Sequence, residues 1–158
     1  MAPAASLAVL GDWMNYWIIA LPRDKMLHCI DVGTFGLNRK FVLGRMEPGD
    51  RIACYVTKEF KIVAFGEVTE PYYIDDEKVF PWASGSQMFV DRIKFKAQKL
   101  DKNLELNFID YLDKMSFIKN IVYWSAHFNG SVVQISQKDW ELLHGQDKKN
   151  GVKGKENK

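Results

Sequence analysis

The sequence predicts an α+β fold: a small, partly closed antiparallel β-barrel with helices at its rim and a helix near its C-terminal end. Three observations carry this reading. The chain holds many short β-prone runs, several of them joined by tight-turn signals. Its candidate helices do not alternate regularly with those strands, so a parallel α/β sheet fits poorly. Its 158 residues, 47% hydrophobic and 13% aromatic, supply apolar surface for one core, which argues against global disorder.

The elements follow in chain order. Tyr16–Leu21 (YWIIAL) is short, continuous and β-prone, the signature of a buried strand. Pro22 ends it and can open a helix over Pro22–Val32, in which Met26, Leu27 and Ile30 stand at helical spacing. Gly33-Thr34-Phe35-Gly36 is expected to be a loop that presents Phe35 between two glycines. Leu37–Met46 holds a candidate short helix before the turn signal Pro48-Gly49.

Asp50–Thr57 alternates, with Ile52, Cys54 and Val56 on one face. Lys61–Thr69 is expected to pair with it as an antiparallel hairpin, since the connection is too short for a crossover. Gly66 suits a bend or bulge in a closing sheet. Pro71–Met88 reads mostly as loop. Phe89–Leu100 alternates again, with Ile93, Phe95 and Ala97 opposite Arg92, Lys94 and Lys96. Leu106–Met115 is a candidate helix. Tyr123–Phe128 and Ser131–Ile135 are strands around Asn129-Gly130, a strong hairpin dipeptide. Ser136 is a plausible N-cap for a helix through about Leu143.

One domain over residues 15–146 is expected, between an N-terminal extension over 1–14 and a Lys-rich tail over 147–158; Met14 is a candidate start. The opening MAPAASLAVL has no preceding positive charge and breaks at Gly11-Asp12, unlike a signal peptide. No run reaches the roughly 20 apolar residues that span a membrane. Cys29 and Cys54 read as free buried thiols of a reducing compartment, so a cytoplasmic location is expected. Nothing in the sequence indicates an oligomeric state.

Two Cys and three scattered His give no metal-ligand spacing, and no metal or cofactor is expected. No Walker loop, G-x-S-x-G or H-E-x-x-H is present, and no catalytic residue is assigned. Residues 148–158 hold five Lys and one Glu, which leaves the body with 17 basic and 19 acidic side chains. Such a body does not coat nucleic acid by charge alone, so nucleic-acid binding would need a local site.

The candidate sites are aromatic and basic. Phe80-Pro81-Trp82 and Phe35 place rings in expected loops, where a ring either plugs the barrel mouth or offers a face for stacking a base. In Trp124-Ser125-Ala126-His127-Phe128, Ser125 and His127 share one strand face and can hydrogen-bond to a base edge, or belong to the core. Arg92, Lys94 and Lys96 recur every second residue, as a phosphate track or as the solvent face of a strand.

These segments together resemble the EVE domain family. The residues are Tyr16-Trp17-Ile18, Phe35-Gly36, Pro48-Gly49-Asp50, Tyr55-Val56, Lys61-Ile62-Val63 and Glu67-Val68-Thr69. Phe117-Ile118-Lys119-Asn120 follows, then W-S-x-H-F-x-G at Trp124–Gly130. The last two motifs in this order are the most specific. The resemblance implies a PUA-like barrel, related to YTH domains that hold a methylated base in an aromatic cage. It implies a non-enzymatic nucleic-acid-binding module for a modified base, single-stranded or flipped out, with RNA ahead of DNA. It places Phe35 and Trp82 in the cage; Phe80, Trp124, Ser125, His127, Trp17 and Tyr55 are the further candidate pocket residues. A PUA-like enzyme acting on nucleosides or RNA, or a protein-interaction adaptor, stands as the alternative.

Overall fold

The computed structural model describes residues 14–38, 43–116, 118 and 132–145. Strand β1 (Tyr16–Leu21) leads into helix α1 (Arg23–Val32), then β2 (Thr34–Leu37), β3 (Arg51–Val56), β4 (Lys61–Ile74) and β5 (Asp91–Lys99). Two short 3₁₀ turns, Lys102–Leu104 and Phe108–Tyr111, flank β6 (Leu106–Asn107), and β7 (Val132–Ile135) precedes helix α2 over 137–145. Among the described residues the strands form one curled sheet in the order β2-β5-β4-β3-β1-β7, with β6 against β4. The result is a half-barrel.

The sheet is mixed, not antiparallel throughout. β3–β4, β4–β5, β2–β5 and β1–β7 are antiparallel, but β1 runs parallel to β3, with Tyr16 opposite Arg51 and Leu21 opposite Val56. Parallel neighbours need a long crossover. The chain between Leu21 and Arg51 supplies one, with α1 inside it.

β1 is buried on both faces, which explains its unbroken apolar run. Trp17 and Ile19 enter a core enclosed by the curl of the sheet, with Met26 and Cys29 of α1 and Ile52, Cys54, Ile93 and Phe95. Tyr16, Ile18 and Ala20 face a second core on the other side, closed by Trp140 and Leu143 of α2 and by Phe108, Leu112 and Met115.

The local signals act as their chemistry requires. Pro22 sits at the N-cap of α1, and Gly33 ends the helix at φ 68° with its N–H directed to the Cys29 and Ile30 carbonyls. A Cβ on Gly66 would lie 2.2 Å from the Lys96 carbonyl oxygen, so only glycine lets β4 and β5 approach where the sheet curls. Ser136 caps α2: its Oγ accepts the Asp139 N–H at 3.1 Å. The Asp139 carboxylate in turn accepts from the Ser116 N–H and Oγ–H at 2.9 and 2.7 Å.

Three expected elements differ. Gly33–Gly36 is not a loop, because Thr34–Leu37 forms β2 against β5. β4 continues past Pro71 to Ile74: beyond Glu67 it pairs with β5 alone, so the missing proline N–H costs no ladder bond. Leu106–Met115 is not an α-helix, since Leu106–Asn107 pairs with Lys61–Ile62 and only a 3₁₀ turn follows. The expected N-terminal extension (save Met14), the Lys-rich tail and the strand Tyr123–Phe128 lie outside the described residues.

Candidate base-binding site at the barrel rim

The site is built on the segment between β4 and β5. Phe80 is buried and Trp82 half-buried, and their rings stack with centroids 5.3 Å apart and planes 29° apart. Close docking of Phe80 depends on Gly36 of β2, where a Cβ would stand 2.8 Å from the Phe80 ring and 2.7 Å from the Phe89 carbonyl oxygen. The segment is tied to β2 a second time through Asn38, which accepts the Phe89 N–H at 3.0 Å and donates to Gln87 at 2.7 Å.

Helix α1 supplies the other side. Lys25 and His28 are three residues apart, so they lie on one helix face. The Lys25 ammonium sits over the Trp82 ring, 5.5 Å from its centroid, and the His28 ring meets Trp82 nearly edge-on, at 5.4 Å and 79°. His28 Nε2 lies 2.7 Å from the Val79 carbonyl oxygen. A carbonyl can only accept, so Nε2 carries the proton, and a neutral His28 has Nδ1 as its acceptor. The arrangement combines an aromatic face, a cation and an imidazole.

The residues singled out from sequence are distributed differently. Trp82 and Phe80 are together at the rim. Phe35, expected as a cage ring in a loop, is a fully buried strand residue of the enclosed core, because β2 pairs with β5 and turns the ring inward. Trp17 is 1% exposed, and its indole N–H is committed to the buried Asp50 carboxylate at 3.0 Å. That carboxylate also accepts the Asn15 and Glu47 N–H groups. Tyr55 is 2% exposed in the second core, edge-on to Phe108, and burial pushes its hydroxyl pKa upward. Trp124, Ser125 and His127 lie outside the described residues.

The basic stripe also divides. Lys94 and Lys96 are exposed, Lys94 pairing with Glu70 at 3.5 Å. Arg92 is 1% exposed and faces no solvent. Its Nε donates to the Phe89 carbonyl at 3.0 Å, and its Nη2 to the Glu77 and Met88 carbonyls at 2.5 and 3.3 Å. It is a loop anchor and not a phosphate ligand, because the β4–β5 segment folds over it. Sequence reasoning missed Lys25 and His28. The available signal was their i, i+3 spacing on a predicted helix, but their shared partner Trp82 is 54 or more residues away. Among the described residues no group of three His, Cys, Asp or Glu is placed to hold a metal ion.

The EVE domain family model matches residues 15–146. The chain belongs to the EVE domain family. This EVE domain is 31% identical to UPF0310 protein PH1033 of Pyrococcus horikoshii, over 82% of this chain and 97% of that protein. Among the solved structures that share its fold are human THYN1 and the Mmi1 YTH domain. Human THYN1, solved in complex with DNA containing 5-methylcytosine, has a TM-score of 0.55 at 12% identity, over 84% of this chain and 97% of that one. The Mmi1 YTH domain has a TM-score of 0.56 at 9% identity, over 89% of this chain and 78% of that one.

Proposed function

We propose that this EVE domain is a nucleic-acid-binding module, not an enzyme, and that it takes one base, modified in preference to unmodified, onto the ring of Trp82. The observation that carries this is the setting of Trp82: a half-buried ring on a pinned segment, backed by Phe80 and flanked by Lys25 and His28. Trp82 offers a π-face at the rim, and stacking on such a face contributes roughly 1–3 kcal/mol per base. A base entering there displaces the Lys25 ammonium from the ring, and the released cation is within reach of the phosphate that arrives with the base. His28 Nδ1 adds an acceptor for an N–H on the base edge.

The fold shared with THYN1, whose structure contains 5-methylcytosine DNA, supports a methylated base as the ligand class. Removing a base from a duplex costs a few kcal/mol and less from a single strand, so single strands are expected to bind better. The test is fluorescence anisotropy with labelled single- and double-stranded DNA and RNA, each carrying cytosine or 5-methylcytosine, against the parent and Trp82→Ala. The reading expects Trp82→Ala to weaken binding by roughly 1–3 kcal/mol and to reduce the preference for the methylated base. Undiminished binding by a folded Trp82→Ala variant would sink it.

A further inference from the structure

A second recess, of about 760 Å³, opens on the face of the sheet that α2 packs against. Its floor follows from strand register. Tyr16 pairs with Arg51, Arg51 with Glu67, and Glu67 with Lys96, so these four side chains form one row across β1, β3, β4 and β5. Two residues along, Phe65 pairs with Gln98. The wall is α2, which contributes Trp140, Glu141 and His144. The Trp140 and His144 rings stack at 5.2 Å and 17°, and Phe65 stands edge-on to both, at 5.3 and 5.1 Å.

The charges in this recess balance. Arg51 lies 3.7 Å from Glu67, and Lys96 stands beside Glu67 in the row while Glu141 lines the wall. A strongly charged ligand therefore gains no net attraction. Two polar side chains of the recess, Lys96 and Gln98, stand two residues apart on one face of β5. Neither has a hydrogen-bond or ion-pair partner among the described residues. An ammonium donates to a carbonyl, and a carboxamide presents a donor beside an acceptor, the complement of a carbonyl next to an N–H. The volume falls within the roughly 300–1,000 Å³ of small-molecule sites.

We infer that this recess binds an uncharged planar heteroaromatic ring carrying a carbonyl beside an N–H, on the scale of a nucleoside, at a place separate from the Trp82 ring. The ring packs on His144, the half-buried member of a cluster whose Trp140 and Phe65 rings are buried behind it. Lys96 and Gln98 hold its polar edge. The inference does not depend on the function proposed for Trp82, because the two sites share no residue.

The experiment is a titration of the full ¹⁵N-labelled chain with uridine, followed by amide chemical shifts. Benzyl alcohol serves as an aromatic without the polar edge, and uridine monophosphate as the charged analogue. Uridine is expected to shift Gly66, Lys96, Ala97, Gln98, Glu141 and His144, equally in the parent and in Trp82→Ala. The exposed substitutions Gln98→Ala and Lys96→Ala are expected to weaken it several-fold in folded protein. Uridine monophosphate is expected to bind no more tightly than uridine, and benzyl alcohol more weakly. Shifts confined to the surroundings of Trp82, no shifts at millimolar uridine, an equal response to benzyl alcohol, or clearly tighter binding of the monophosphate would each overturn the assignment.

Discussion

The Arg92 guanidinium carbon lies 5.2 Å from the centroid of the Phe80 ring, and the same guanidinium donates to the carbonyls of Glu77, Met88 and Phe89. One buried side chain thus ties both ends of the segment that carries Trp82 and supports the ring on which Trp82 stacks. The Asp75 carboxylate lies 4.0 Å from its Nη1. Arg92→Met leaves carbonyls without donors, and hydrogen bonds from a charged group contribute about 1.5–3 kcal/mol each. Three such bonds are lost, so we expect a stability loss of at least about 3 kcal/mol in urea denaturation. Arg92→Lys is expected to recover only part of it, because one ammonium cannot reproduce the planar fork.

Phe35 and Trp82 are expected to behave as opposites. Phe35→Ala empties a fully enclosed site and should cost about 3–5 kcal/mol, while Phe35→Leu should cost less than about 1.5 kcal/mol and leave nucleic-acid affinity near that of the parent. Trp82→Ala removes a half-buried ring and should lower the melting temperature less than Phe35→Ala. Denaturation and oligonucleotide binding measured on the same variants check both. A Phe35→Leu variant of near-native stability that fails to bind would return Phe35 to the ligand site.

Salt dependence separates the cations. Each phosphate contact contributes a slope of about 0.9 in log K against log salt for B-DNA. Lys25→Gln is expected to reduce the slope by about one contact, since Lys25 stands over the base-binding ring. Lys94 is already paired with Glu70, so Lys94→Ser should change the slope less than Lys25→Gln. Equal effects at the two positions would restore the basic stripe of β5 as a phosphate track.

Burial sets the thiols. It pushes the Cys29 pKa up to about 12, and Cys54 higher still, with a further push from neighbouring Cys29. The thiolate is the reactive form, so both cysteines should react slowly with Ellman's reagent at pH 8 in the folded protein and rapidly in denaturant. A folded-state pKa raised above the unfolded value means that the native chain holds its protons longer. This contribution to stability is complete below about pH 9 and declines as pH rises toward 12. Urea midpoints measured at pH 8, 9.5 and 10.5 should fall in that order, and the decline should be smaller in Cys29→Ala.

What the sequence determined by itself was local. The Tyr16–Leu21 run, the Pro22 and Gly33 helix boundaries, the Asp50–Thr69 hairpin and the Ser136 cap follow from steric and hydrogen-bonding preferences within a few residues. Tertiary structure decided which distant segments meet. Alternation placed Arg92 beside Lys94 and Lys96, but only the fold of the 75–90 segment buries it. The glycines around Phe35 suggested a loop, yet β5 lies close enough to pair with that backbone and draw the ring inward. Trp82 was legible as an unusual loop aromatic. Lys25 and His28 were not legible as its partners, because a helix face becomes half of a site only when another part of the chain is packed against it.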